Sequence, residues 1–184
     1  MISYEGKKTR LRPVRKSDIE KSIVWRNTPD IRENVLGYRF PVTETMEDQW
    51  YEAALADQTR STAMFAIETL DNDTLIGFIH LNRIDWIARR SHFGITIGEK
   101  EFQGKGMGTD SMQILFKYAF DCLNLKKICL EVADFNKNAI KLYQKFGFVV
   151  EGILKEHLYL ENSYHDFILM RMFDSEFREK HHNE

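Results

Sequence analysis

Gln103-Gly104-Lys105-Gly106-Met107-Gly108-Thr109 is the stretch on which the fold turns. Before it, Ser91 to Gly98 alternates in the manner of a strand. After it, Met112, Leu115, Phe116, Ala119, Phe120 and Leu123 fall at spacings of three and four, one apolar face of a helix. Glycines between a strand and a helix let the backbone turn sharply and come close to a ligand. The free N–H groups at the helix start then favour an anion, and a pyrophosphate suits that place. Lys105 adds a positive charge nearby. On spacing alone the alternative is a tight turn that only starts the helix. Two other phosphate loops are excluded. A P-loop needs Gly-Lys followed by Ser or Thr, and here Gly106 follows Lys105. A dinucleotide fingerprint needs two residues between its second and third glycines, and here there is one.

Outward from this loop the elements alternate. Upstream, Lys7 to Val14 reads as a strand. Ser17 is placed to cap a helix running to about Asn27, with Asp18 and Glu20 favourable for its dipole. Thr45 to Asp57 is a second helical stretch, amphipathic through Met46, Trp50, Ala53, Ala54 and Leu55. Thr62 to Glu68 and Thr74 to Ile84 are strands joined by the turn signal Asp71-Asn72-Asp73. Downstream, Lys127 to Val132 is a buried strand and Asn136 to Phe146 a helix ending at Gly147. Phe148 to Phe173 holds two strands joined near Glu161-Asn162-Ser163, followed by a short tail. Strands come first, then strand, loop, helix, strand, helix, then strands again. That order is an α/β chain with a mixed sheet and helices packed on it. Prolines stand only at 13, 29 and 41 and no linker breaks the chain, so 1–184 reads as one domain with its core at about 7–173.

Bulk properties narrow the function. A net charge of −2 argues against general nucleic-acid binding, which shows a basic excess or stripe. The apolar runs are far too short for a membrane span. MISYEGKKTRLRP has no apolar core behind its charges, so no signal peptide is read there. Cys122 and Cys129 sit in apolar stretches and read as reduced core residues. The cytoplasm is the default compartment.

Three sets of residues together resemble one family. Gln103-x-x-Gly106-x-Gly108 is similar to the acetyl-CoA signature of the GNAT family of N-acetyltransferases: Gln or Arg, two residues, Gly, one residue, Gly or Ala. Asn136-x-x-Ala139-x-x-Leu142-Tyr143-x-Lys145-x-Gly147-Phe148 resembles that family's second conserved helix and the strand after it. Glu151-Gly152, Tyr164-x-Asp166 and Ile168-Leu169-Met170 extend the match, with Thr9-Arg10-Leu11-Arg12-Pro13 as the first strand. Asn124-Leu125-Lys126-Lys127 and the segment from Tyr143 to Gly152 look most like bacterial spermidine and ribosomal-protein N-acetyltransferases.

The resemblance implies a mostly antiparallel sheet of about six or seven strands with helices on both faces, acetyl-CoA as co-substrate and no metal. It implies direct attack of a neutral amine on the thioester. Gln103, Gly104, Lys105, Gly106, Met107, Gly108 and Thr109 would hold the pyrophosphate. Ile95, Thr96 and Ile97 lie on a strand that splays from its neighbour in this family and would pair with the pantetheine arm; the alternative is ordinary ladder pairing. Asn138 and Lys145 join the cofactor contacts, and Asn136 would touch the cofactor or cap the helix. Tyr143 is the matched general acid, or else a core aromatic beside Leu142 and Phe146. The base is open between His92, at a place where spermidine acetyltransferases usually carry Glu, the nearby Glu99, and a water chain.

The acceptor amine is a polyamine, a protein N-terminus or a small amino compound. Arg32, Glu33, Tyr38, Arg39, Phe40 and His92 are expected near the acceptor cleft. The arginines oppose a polycation, so spermidine is expected to be a poor substrate. Glu44, Glu47, Asp48 and Glu52 read as a solvated helix face. His157, His165, His181 and His182 lack metal-ligand spacing. A non-catalytic acetyl-CoA-binding module is the alternative to an enzyme, and a homodimer stays open.

Overall fold

The computed structural model describes residues 4–34, 40–56 and 60–181. Tyr38, Arg39, Asp57 and His182 lie outside them. The strands are β1 (Thr9–Pro13), β2 (Ala63–Thr69), β3 (Leu75–Asp85), β4 (Arg90–Ile97), β5 (Lys127–Ala133), β6 (Val149–Leu160) and β7 (Ser163–Phe173). The helices are α1 (Ile19–Asn27), α2 (Pro29–Arg32), α3 (Glu44–Leu55), α4 (Met107–Lys117), α5 (Lys137–Phe146) and α6 (Asp174–His181). All seven strands form one sheet in the order β1-β2-β3-β4-β5-β7-β6. Every neighbouring pair is antiparallel except β4 and β5. The sheet is mixed, as the order of elements implies, and mostly antiparallel, as the resemblance implies. Among the described residues, no helix is long and apolar enough to cross a membrane.

Helices cover both faces. On one, the apolar stripe expected from its spacing runs from α4 into the turn Tyr118–Cys122: Met112, Leu115, Phe116, Ala119 and Phe120 are all buried, in one core cluster with Ile79 and Leu81 of β3. Phe116 is ringed by Phe93, Phe146, Phe148 and Phe177 at centroid distances of 5.1, 5.3, 5.7 and 6.0 Å. Each fully buried ring stabilises the fold by about 1.5–3 kcal/mol through removal of apolar area from water. On the other face, Trp25 of α1 and Trp50 of α3 meet the Phe78 ring of β3 at 5.6 and 6.4 Å.

Several local expectations are corrected. Ser17 does not cap α1. Lys16–Asp18 is a single 3-10 turn, and Asp18 is used instead to accept from the Arg15 amide and from both terminal nitrogens of Arg12. Burial disfavours the Asp18 charge, but the bonds from Arg12 and the Arg15 amide prevail and hold the carboxyl below its ordinary range. In α3 the apolar stripe is broken: Met46 is 48% exposed, whereas Glu47 is fully buried. Glu47 is therefore not on a solvated face. It accepts from Ser22 Oγ and pairs with Arg26, so the helix buries a charge because a partner is waiting for it. Neither cysteine is a core residue: both are free, with Cys122 exposed and Cys129 half-buried. The residues read as a tail form α6, anchored by Phe177, which is 5% exposed.

One side chain ties the start of the chain to the glycine loop. Asp110, in the first turns of α4, accepts from the amides of Lys7 (2.9 Å), Lys8 (3.0 Å) and Thr9 (2.8 Å) and from Thr9 Oγ1 (2.8 Å). Asp110→Ala leaves these donors without their carboxylate in a buried place and should destabilise the protein by about 3 kcal/mol. For a chain of this size that lowers the melting temperature by roughly 6–12 °C, whereas the exposed Asp71→Ala should leave it unchanged. A shift below about 2 °C for Asp110→Ala would show that the latch is dispensable.

Candidate active site

β4 and β5 run side by side for three residue pairs, Arg90–Lys127, Ser91–Ile128 and His92–Cys129, and then part. β4 continues to pair with β3 as far as Ile97, and β5 with β7 as far as Ala133. From Phe93 onward the outer edge of β4 therefore pairs with no strand among the described residues, the splay that the resemblance implies, while Ile95, Thr96 and Ile97 keep their ladder pairing with β3 on the other edge. A cleft of about 830 Å³ opens there. It runs between the starts of α4 and α5 and on to the end of α6.

The loop before α4 forms as its glycines require. Gly106 is the residue before the helix and has φ = +83°, a left-handed conformation that an L side chain resists. The amides of the first turn of α4 lack intrahelical partners and lie at the cleft, where an anion completes them. Gln103 fixes the loop from the other side by donating its Nε2 to the Ile97 carbonyl at 2.8 Å. Asn136 caps α5 by accepting from the Ala139 amide at 3.1 Å, and it also lines the cleft.

Most of the sequence-selected residues come together. Ile95, Thr96, Ile97, Gln103, Gly104, Gly106, Gly108, Thr109, Asn136, Asn138, Tyr143 and Lys145 all line the cleft. Lys105 turns its ammonium to the Phe102 ring at 5.8 Å, and Met107 packs on the core. Tyr143 stands where the strands part, its ring edge-on to Phe93 and Phe148 at 6.1 and 5.8 Å. Burial pushes its phenol up to about 12.

His92 projects to the opposite face of β4 from Phe93. Its Nδ1 lies 3.8 Å from Glu131. Burial lowers its pKa, the nearby Arg83, Arg90 and Lys127 act in the same direction, and Glu131 opposes them. Glu99 is committed to Lys21 at 2.7 Å. Sequence reasoning missed His80, which is the cross-strand partner of Gly94 just beyond the parting. Its imidazole packs on that glycine, with Cε1 and Nε2 2.5 Å from where a Cβ would stand. Burial, and then the charge of Arg26, lower its pKa to about 4. It also missed Lys8, whose Nζ donates to the Lys105 carbonyl at 2.8 Å, and Lys180 and His181 of α6, which line the far end of the cleft. The charges of α6, acids first and bases last, suit a helix, but Phe177 is its one buried apolar residue.

The chain is similar to known proteins. The profile of a family described as an acetyltransferase (GNAT) domain matches residues 8–149. The spermidine N(1)-acetyltransferase of Escherichia coli K12 is 31% identical over 175 residues, covering 94% of this chain and 89% of that protein. A putative ribosomal N-acetyltransferase, YdaF of Bacillus subtilis, is 29% identical over 140 residues, covering 74% and 76%. The crystal structure of spermidine N-acetyltransferase from Vibrio cholerae in complex with CoA and spermine superposes with a TM-score of 0.84 at 28% identity, covering 92% of this chain and 97% of that one. A parted pair of strands, a glycine loop at a helix start and these likenesses carry one conclusion: the chain belongs to the GNAT family and is an acetyl-CoA-dependent N-acetyltransferase.

Proposed function

We propose that this enzyme acetylates an α-amino group, at a protein N-terminus or on a small amino compound, by direct attack on acetyl-CoA with Tyr143 as the general acid. The observation that carries the acid role is the place of Tyr143 in the cleft at the parting of β4 and β5. Its phenol, pushed up to about 12, holds its proton across the physiological range and serves as donor, not base. In the step, the amine nitrogen forms a bond to the thioester carbon and the carbon–sulfur bond breaks. The sulfur gains the phenolic proton, and the nitrogen gives up one proton that restores Tyr143 through solvent. The splayed β4 edge at Ile95–Ile97 would hold the pantetheine amides, and the first turn of α4 the pyrophosphate.

The acceptor follows from the bases on hand. The imidazoles at the parting, His80 and His92, both have lowered pKa values, to about 4 for the first and below the ordinary value for the second. Neither takes a proton readily from an alkylammonium with a pKa near 10.4, of which only about one molecule in a thousand is neutral at pH 7.5. An α-amine, with a pKa of about 8, is neutral in roughly a quarter of molecules at that pH and needs no strong base. Charge points the same way. Glu47 is spent on Arg26 and Ser22, so α3 offers one carboxylate fewer to a polycation. A polyamine acceptor is the second reading, favoured by the relatives named for spermidine.

Steady-state release of free CoA thiol over a panel of α-amino peptides, amino sugars and polyamines tests this. The kcat/KM for the best α-amine should exceed that for spermidine by about 10²-fold, the ratio of neutral fractions. Saturable spermidine acetylation with a KM below about 1 mM would overturn the acceptor assignment.

Tyr143→Phe should keep acetyl-CoA binding and lower kcat by roughly 10²- to 10⁴-fold. For the wild type, kcat/KM should rise with pH as the acceptor loses its proton. Because the pKa of Tyr143 is raised, its active protonated form is lost only as pH approaches about 12. The profile should therefore rise to a plateau above the acceptor's pKa and hold it to about pH 10, and a descending limb between about pH 8 and 10 that is absent in Tyr143→Phe would contradict the burial of the phenol.

A further inference from the structure

We infer that the C-terminal helix is part of the cofactor site: Lys180 of α6, together with Lys145 of α5, binds the 3′-phosphate on the ribose of CoA. The inference rests on acetyl-CoA being the donor and assigns its third phosphate. Two of the cofactor's phosphates form the pyrophosphate and have the first turn of α4 to meet them. The third stands apart on the ribose, doubly charged or nearly so, and needs its own counter-charge.

The cleft supplies that charge at one end only. It continues from the glycine loop between α4 and α5, past Gln113 and Leu142, to Lys145, Phe146, Lys180 and His181. Among the described residues, Lys145 and Lys180 are the only Lys or Arg side chains in its lining. Both are exposed, and neither ammonium has an ion pair or hydrogen bond among the described residues, while Lys21, Lys100, Lys126, Lys127 and Lys155 are all paired with carboxylates.

Lys180 is held in this place by packing behind it. Phe177 inserts beside Phe116 and Phe120 at 6.0 and 5.3 Å. His181 Nε2 lies 3.0 Å from the Phe146 carbonyl oxygen, and the His181 ring is 4.6 Å from the Phe146 ring. The stem of Lys180 lies along the end of α5, with Cδ 3.1 Å from where a Cβ on Gly147 would stand. A helix fixed by two aromatic side chains thus carries an unpaired cation to within two residues of Lys145. The other nearby cation, Lys8, bonds the Lys105 carbonyl beside the loop and belongs with the pyrophosphate.

The test is calorimetric titration of the full chain with CoA and with 3′-dephospho-CoA. The wild type should bind CoA about tenfold or more tightly than dephospho-CoA. Lys180→Gln and Lys145→Gln should each weaken CoA by roughly three- to tenfold and leave dephospho-CoA unchanged, with Lys180→Arg close to wild type. The double variant should bind the two ligands equally, and Lys8→Gln should weaken both alike. Equal binding of both ligands by the wild type would overturn the assignment, as would a loss in Lys180→Gln that is the same for both. Either result leaves the donor itself in place. Only failure of the wild type to bind CoA at all would remove the acetyl-CoA reading along with this one.

Discussion

Three residue pairs are all that join β4 to β5, and the site depends on their being no more. β5 makes seven pairs with β7, so its course is set from that side. β4 is set equally firmly by β3. At the parting, the Phe93 ring lies among Phe116, Tyr143 and Phe148, and this aromatic wedge fills the volume that a continued ladder would have closed. The backbone groups of β4 beyond His92 then face a cleft. Unpaired backbone polar groups are costly when kept from water without a partner. A ligand that brings its own amides, as pantetheine does, relieves this directly. The same geometry that leaves the sheet incomplete leaves an edge with which a ligand could pair.

The parting also decides where the helices begin. α4 starts at the end of β4 and α5 at the end of β5, so opening the strands sets the two helix starts on either side of one cleft. Asp110 holds the first of these starts to β1 across the sheet through the amides of Lys7, Lys8 and Thr9. Beyond β1 the opposite face is organised by charge. Arg12 bridges Asp18 and Glu68, and Arg26 meets Glu47, each in a place where removing one partner would leave a charge stranded. Burial disfavours the Glu68 charge as it does that of Asp18, yet the hydrogen bonds from Arg12 and Arg10 hold its carboxyl below the ordinary range. These groups fix α1 and α3 on the sheet without entering the cofactor cleft.

How much of this was legible depended on whether a residue acts through its own neighbours in sequence. The α4 stripe, the glycine loop, the Asn136 cap and the two long final strands follow from local periodicity and turn chemistry, and the structure has them within a residue or two. What was misread depends on partners far along the chain. Glu47 looks solvated until Ser22 and Arg26 are brought to it, 25 and 21 residues away. Asp18 looks like a helix-start charge until Arg12 takes it. His80 sits in a plain apolar-polar alternation, and only the register of β3 against β4 sets it on Gly94. α6 was lost for another reason. It buries a single apolar side chain, Phe177, and eight residues with one anchor carry too weak a period to be told from a tail.

The register of β4 finally separates two sets of side chains at the parting. Successive side chains of a strand point to opposite faces. Phe93 faces α4 and α5 and belongs to the wedge beside Tyr143. His92 and Gly94 face the side of α1 and α3, next to His80 and Glu131. The ring of Tyr143 thus lies on one face of the parted strands, and His92, His80 and Glu131 lie on the other. A shift of one residue in the pairing of β3 with β4 would exchange these sets. It is resisted because Phe93 would then leave the aromatic core, and because Gly94 is the one residue of β4 that leaves room for the His80 ring. Tyr143 and the two imidazoles are kept on opposite faces of the sheet by the alternation of a single strand, and that strand is held in register by the size of two of its residues.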